Sequence, residues 1–263
     1  MGYYTSSAVY NLPTLGGSAI YQGLAFNADG TIMFVHEKNV NYKIYSFGLS
    51  VPWSIASASP LSEGTSVYSR INFCFDPAGT RLYYSTNDVY VYQYSLATPW
   101  AVAGETYVRN ASLVNGNVGI AISPDGTKMY YANANAIRQY ALSTAWNPQT
   151  GSYQGQIVSA VVDMPGEGLW FSPDGLQLWA GGNSPGGPKV VLYELVTPWN
   201  ILTSTPILDS LITSQDDISG LCFNSDMSKI YLLDATHAVY EYNFSTLPPE
   251  FWTNFIGQRE IIV

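Results

Sequence analysis

Charge is scarce in this chain: of 263 residues, 10 are Lys or Arg and 19 are Asp or Glu, a formal net charge of −9. So thin a supply of cations excludes a phosphate-binding face, and with it nucleic acid as a partner. Histidine is scarcer still. His36 and His237 are the only two, too few to support a nucleophilic triad, and lone histidines of this kind are expected to be solvent-exposed bystanders. Cysteine is limited to Cys74 and Cys222. Each stands immediately before a repeated Phe, where other copies of the repeat carry Ala25, Ala121 and Trp170, so both are read as small buried side chains rather than disulfide partners. No apolar run approaches the length of a membrane span. The N-terminus has no basic stretch followed by an apolar core, so no secretory leader is expected. MGYYTS fits the bare myristoylation pattern, but no basic patch accompanies it and the match is read as chance.

What the chain has instead is aromatic residues: 21 Tyr, 10 Phe and 7 Trp. Flat, amphipathic rings suit half-buried pleated surfaces and favour β-structure. With 47% hydrophobic residues the chain is far from disordered.

The aromatic residues belong to a repeat. NADGTIMFV follows Phe26, DPAGTRLYY follows Phe75, SPDGTKMYY follows Ile122, SPDGLQLWA follows Phe171, and NSDMSKIYL follows Phe223. The glycines of this phrase are Gly30, Gly79, Gly126 and Gly175, with Met227 in the fifth place, so the steps are 49, 47, 49 and 52 residues. A second mark ends at Trp53, Trp100, Trp146, Trp199 and, in the looser LPPEFW, Trp252; a third falls between them at Tyr45, Tyr94, Tyr140, Tyr193 and Tyr242. A period of this size in an all-β chain predicts a five-bladed β-propeller with four-stranded antiparallel blades. The blades are placed at about 20–66, 67–115, 116–164, 165–216 and 217–252, the last completed by residues 7–15 of the N-terminus, a closure that removes exposed sheet edges. Residues 253–263 are left as a tail that docks on the rim or reaches a partner. Within each unit the Asp and Gly of the phrase are read as a hairpin turn, Asp bonding its own backbone and Gly taking a positive φ. Five copies of a hairpin are what a ring needs; five copies of a catalytic motif are not.

The composite PDGTKMY followed by VYQYSLATPW or IRQYALSTAW resembles tandem-repeat β-propeller proteins of tailed bacteriophages and marine bacteria, within the broader lactonase-like and surface-layer-like propeller superfamily. The resemblance covers 20–252. It implies a virion component, in tail, fibre or head decoration, present in many copies, assembled in the host cytoplasm, and contacting other virion proteins or a bacterial surface glycan. The alternative location is secreted or cell-surface.

Candidate binding residues are those leading into each inner strand. Gln22, Arg70, Asn117, Glu167, Asp216 and Asp217 are expected to gather at one mouth of the axial channel, above Gly23, Asn72, Gly119, Gly168 and Gly220, whose small size predicts tight packing around a narrow channel. An Asn-plus-carboxylate group is a residue set that holds a hard cation such as Ca²⁺. Arg70 opposes it, and no cofactor is expected. The expected role is a non-enzymatic binding or structural module. Its rivals are a metal-dependent lactonase-like or glycan hydrolase using Asn117, Glu167 and Asp217, and a lectin with sugars stacked on Trp53, Trp100, Trp146 and Trp199. A tryptophan repeated at one position is more simply a wedge that packs the ring. Tyr68 and Tyr107 are further recognition candidates, on variable loops.

Overall fold

The computed structural model describes residues 6–13, 19–66, 70–86, 89–113, 119–133, 136–158, 168–184, 187–212, 217–234 and 238–243. Among these residues twenty strands form five four-stranded antiparallel sheets, the blades of a β-propeller. After an N-terminal strand, β1 (Ala8–Asn11), blade one runs β2 (Tyr21–Phe26), β3 (Ile32–Glu37), β4 (Lys43–Leu49) and β5 (Ala58–Glu63) from the axis outward. Blade two is β6 (Arg70–Phe75), β7 (Arg81–Thr86), β8 (Tyr90–Ser95) and β9 (Thr106–Ser112). Blade three is β10 (Gly119–Ile122), β11 (Lys128–Asn133), β12 (Ala136–Leu142) and β13 (Gly151–Val158). Blade four is β14 (Gly168–Phe171), β15 (Gln177–Ser184), β16 (Gly187–Leu195) and β17 (Ser204–Ile212). Blade five has β18 (Gly220–Phe223), β19 (Lys229–Asp234) and β20 (Ala238–Asn243), and its outer strand is β1, paired antiparallel with β20 from Ala8 opposite Glu241 to Asn11 opposite Ala238. The N-terminal closure expected from the repeat count is therefore present.

The apolar side chains are grouped into five cores, one between each pair of neighbouring blades. Strand alternation explains this. On β3, Met33 and Val35 face blade five while Phe34 faces blade two; on β19, Ile230 and Leu232 face blade four while Tyr231 and Leu233 face blade one. Both faces of these strands are covered, so they read as continuous apolar runs.

The repeated phrase is a turn. Its first residue caps the hairpin in every blade: Ile32 N–H donates to Asn27 Oδ1, Arg81 N–H to Asp76 Oδ1, Lys128 N–H to Ser123 Oγ, Gln177 N–H to Ser172 Oγ and Lys229 N–H to Asn224 Oδ1, at 2.8–2.9 Å. The Asp of the phrase takes the N–H two residues on, Thr31 to Asp29, Thr127 to Asp125, Leu176 to Asp174 and Ser228 to Asp226. Blade two carries Ala78 there, and its Thr80 bonds Asp76 instead.

Two expectations change. The aromatic residue of blade one that corresponds to Tyr94 and Tyr140 is Phe47, not Tyr45: Phe47 lies opposite Met33 as Tyr94 lies opposite Leu82. His36 is not a solvent-exposed bystander but a fully buried strand residue beside Tyr84. His237 lies outside the described residues.

Candidate functional site on the ring axis

Each described PW mark builds the same lock. Trp53, Trp100, Trp146 and Trp199 all have positive φ, 58–65°, a conformation that costs a non-glycine residue roughly 1–2 kcal/mol. Three contacts hold it. The indole lies directly on the turn glycine of its own blade, so close that a Cβ on Gly30, Gly79, Gly126 or Gly175 would fall 2.2–2.4 Å from ring atoms. The Trp N–H donates to that glycine's carbonyl, at 2.8–2.9 Å in all four blades. The Trp carbonyl accepts from the preceding blade: Tyr83 Oη reaches Trp146 O at 2.9 Å, Tyr231 Oη reaches Trp53 O at 2.6 Å, and Tyr130 Oη reaches Trp199 O. Burial pushes the phenols of Tyr83, Tyr130 and Tyr231 well up, which keeps them protonated donors. Lys128 and Lys229 add Nζ donors at 3.0 Å to Trp199 O and Trp53 O. Blade one has Phe34 at the phenol position, and it stacks on Trp100 instead. The repeated tryptophans are packing elements before they are anything else.

Below the start of the inner strands the axis is narrow. A Cβ on Gly23 would meet Asn72 Oδ1 at 2.8 Å, one on Gly168 would meet the Leu221 N at 2.7 Å, and one on Gly220 would meet Leu24 at 2.9 Å. The Gly23 N–H also donates to Ser219 O across the seam between blades five and one. From this waist to the turns the axis widens into a cavity of about 510 Å³. Its wall is repeated like the sequence. The inner strands present Ala25, Cys74, Ala121, Trp170 and Cys222 at one level and Phe26, Phe75, Ile122, Phe171 and Phe223 at the next, with Ala28, Pro77, Pro124, Pro173 and Ser225 at the rim beside Trp53, Trp100 and Trp199. Four of five blades place a small residue at the first level; Trp170 breaks the symmetry, half-buried against Phe223 with ring centroids 4.6 Å apart.

The wall offers little to a charged ligand. Among the described residues its one charged side chain is Asp76, and that carboxylate already accepts from Thr80 N–H and Oγ1, Arg81 N–H and Arg81 Nη1. The Asn27 and Asn224 amides are spent on their own turns, with Thr31 and Ile32 and with Ser228 and Lys229. Burial raises the thiol pKa of Cys74 and of Cys222. Both are free, as small packing residues should be, and neither is a thiolate at neutral pH.

Of the residues singled out in the sequence, Asn72 is buried at the waist, where its Oδ1 accepts from the Phe73 N–H and lies against Gly23. Gln22 is buried in blade one. Arg70 opens β6, and Asp217 is a half-exposed residue ahead of β18. Asn117, Glu167, Asp216, Tyr68, Trp252 and 253–263 lie outside the described residues. Tyr107 is exposed, on strand β9 rather than a loop, and packs against Tyr92 and Tyr94. Among the described residues no three His, Cys, Asp or Glu side chains are grouped so as to hold a metal, and no helix is long and apolar enough to cross a membrane. The cavity itself was missed in the sequence. Its signal was the row of Ala and Cys before the repeated Phe, read only as packing.

No protein-family model matches the chain, and no curated protein does. Solved structures do. A functionally unknown protein from Desulfotomaculum acetoxidans aligns at TM-score 0.50 and 18% identity, over 84% of this chain and 64% of that one. The hydrazine synthase of Kuenenia stuttgartiensis aligns at TM-score 0.51 and 17% identity, over 88% of this chain and 58% of that one. This chain thus spans under two thirds of either neighbour, and at such identity the likeness shows the propeller fold alone.

Proposed function

We propose that this ring is a non-enzymatic binding and structural module, working as an attachment domain of a tailed-bacteriophage particle, and that the axial cavity is where it takes hold of a neighbouring protein. One observation carries the reading: the cavity is walled by aromatic and small apolar residues, while the side chains of Asn27, Asp76 and Asn224 are already bonded within their own turns. Such a wall gains by covering apolar ring faces. It has few free partners for sugar hydroxyls, which favours aromatic side chains of a protein over a glycan. Trp170 makes the axial site single, one per ring, in contrast to five equivalent lectin sites. Many rings on one particle would then make a modest site effective through avidity. The repeat resemblance supports the particle context.

Fluorescence titration with the neutral probe N-phenyl-1-naphthylamine, beside a panel of bacterial surface oligosaccharides, tests the site. The expected result is saturable binding of one probe per ring, lost in Ala121→Trp, which fills the cavity. Oligosaccharide binding abolished by the same substitution would move the reading to host-surface attachment; oligosaccharide binding unaffected by it would place attachment off the axis. Mass spectrometry of purified particles, with immunogold labelling, tests the virion assignment, and absence of the chain from particles refutes it.

A further inference from the structure

A closed ring of blades still has one kind of open edge, the outer strand of each sheet, whose outward N–H and C=O groups are a template for another strand. Four of the five outer strands are guarded or short. β5 contains Pro60 and ends in Glu63, which is paired with Lys43 at 2.7 Å. β9 contains Arg109, and its Asn110 carbonyl accepts from Gln149 Nε2 of the next blade at 3.0 Å. β17 contains Pro206 and Asp209. β1 has only four residues. β13, GSYQGQIV, has eight, with neither a charge nor a proline. The residue that stands in blade four where Gln149 stands in blade three is Leu202, which lies on Gly155 but has no side-chain donor to cap the strand. Tyr153 and Val158 of β13 are 49% and 66% exposed. A bulge interrupts the pairing of β13, but β5, β9 and β17 have one too, so the bulge does not set this strand apart.

Which groups face outward follows from the pairing of β12. Leu142 N–H donates to Thr127 O, so the even-numbered residues of β12 bond β11 and the odd-numbered ones bond β13. Their partners Ser152, Gly155 and Ile157 are thereby used. Gly151, Tyr153, Gln156 and Val158 face away from the blade, with Gln154 the extra residue of the bulge. This set is self-complementary. A two-fold axis between Gln154 and Gly155 sets Gly151 opposite Val158 of a second copy and Tyr153 opposite Gln156 of a second copy, so outward groups meet outward groups along the whole strand. Charge also favours a like partner here. The chain has 19 acidic residues, yet none lies between Asp125 and Asp163, so two copies meeting at this edge avoid much of the repulsion that a net charge of −9 creates elsewhere.

We infer that β13 is a self-association edge: two copies pair it antiparallel about a two-fold axis and join their third blades into one eight-stranded sheet. Up to about eight main-chain hydrogen bonds form between the copies. The contact is small, so the dimer is weak in dilute solution and fills where copies are held close together. None of its residues lines the axial cavity, so the two sites are tested separately.

Sedimentation velocity of the full-length chain between about 1 and 300 μM, the range of weak association, tests the inference. The parent should show a monomer–dimer equilibrium. Gln156→Pro removes one outward donor from each copy without touching the bonds to β12, and should raise the dimer Kd at least about ten-fold. Gln154 is exposed beside the axis, so Gln154→Lys and Gln154→Glu each set like charges across it and should each raise the Kd about three-fold or more. An equal mixture of those two variants should recover the parent affinity or better, because opposite charges then face each other. Circular dichroism confirms that every variant is folded. A parent that stays monomeric over the whole range overturns the inference. A dimer that none of the three substitutions weakens uses another surface, and the assignment to β13 falls. Weakening by both charge variants without recovery on mixing overturns the two-fold register.

Discussion

Replacing Gly175 with alanine sets a methyl group about 2.2 Å from Trp199 Nε1, well inside ordinary contact. The cost has separable parts. Alanine at φ 71° meets the left-handed penalty of roughly 1–2 kcal/mol. The indole must also move, which disturbs its packing on Phe171, 5.0 Å away between centroids, and overpacking of this kind costs about 1–3 kcal/mol. Movement of the Trp199 backbone weakens the bonds that its carbonyl takes from Tyr130 and Lys128, about 0.5–1.5 kcal/mol each. Together the loss is about 3–8 kcal/mol, a large share of the roughly 5–15 kcal/mol typical of a domain. Thermal unfolding followed by calorimetry should show a drop of roughly 6–30 °C. A double-mutant cycle isolates the contact. In a Trp199→Ala background the same glycine substitution should cost only the backbone part, about 1–2 kcal/mol. If Gly175→Ala costs as much without the indole as with it, the indole is not what makes glycine necessary, and the lock as described is wrong.

Other expectations follow from single contacts. Gln139 Oε1 accepts from the Ile201 N–H and Glu241 Oε2 from the Ile55 N–H; Gln93 is the repeat equivalent in blade two, the residue in the place of Ile55 and Ile201 in the next blade is Pro148, which has no N–H, and the buried Gln93 Oε1 has no partner among the described residues. Gln93→Leu should therefore raise stability by about 1 kcal/mol, seen as a higher thermal midpoint, and a fall would show the amide to be satisfied after all. The bond from Thr31 Oγ1 and the Thr31 N–H hold the Asp29 carboxyl below its usual 3.8, and the bond from Ser172 Oγ and the Leu176 N–H do the same for Asp174. Both folded values lie below the unfolded ones, so the stabilisation is complete above 3.8 and is lost as pH falls through the depressed values. Acid titrations of the unfolding midpoint should fall less steeply below that pH for Asp174→Asn than for the parent. Phenylalanine at Tyr130 removes the donor to Trp199 O and should cost about 1 kcal/mol in urea unfolding; at Phe34, where no such bond exists, conversion to Leu should act through packing alone.

The ring was legible because its determinants are local and repeated five times. Asp-Gly turns, alternation on both faces of β3 and β19, and the missing outer strand of blade five all follow from short-range rules. The aromatic mark of blade one was misplaced because YKIYSF offers Tyr45 and Phe47 on the same face of one strand, and spacing alone cannot choose between residues two apart. The left-handed tryptophans were invisible for a different reason. No rule for Trp predicts positive φ; only a glycine brought beneath it from the other turn of the blade makes that conformation tolerable. Likewise the axial cavity depends on how five strand ends are spaced around the ring, which no single repeat encodes. His36 was misjudged because its neighbour across the blade boundary, Tyr84, lies 48 residues away in the chain.

The five cores between blades bear on how such a chain can change its number of repeats. In an open solenoid a unit added at the end gains one interface and disturbs none. Here every unit has a neighbour on each side, so a sixth would have to open a seam and reset the angle at all the others together. Adding a blade therefore changes every seam at once, and sequence drift within a repeat is confined to what its two neighbours accept. Met227 shows the scale on which that drift is permitted: a single position within one repeat, where a residue with a Cβ keeps the left-handed backbone that glycine takes in the other four turns.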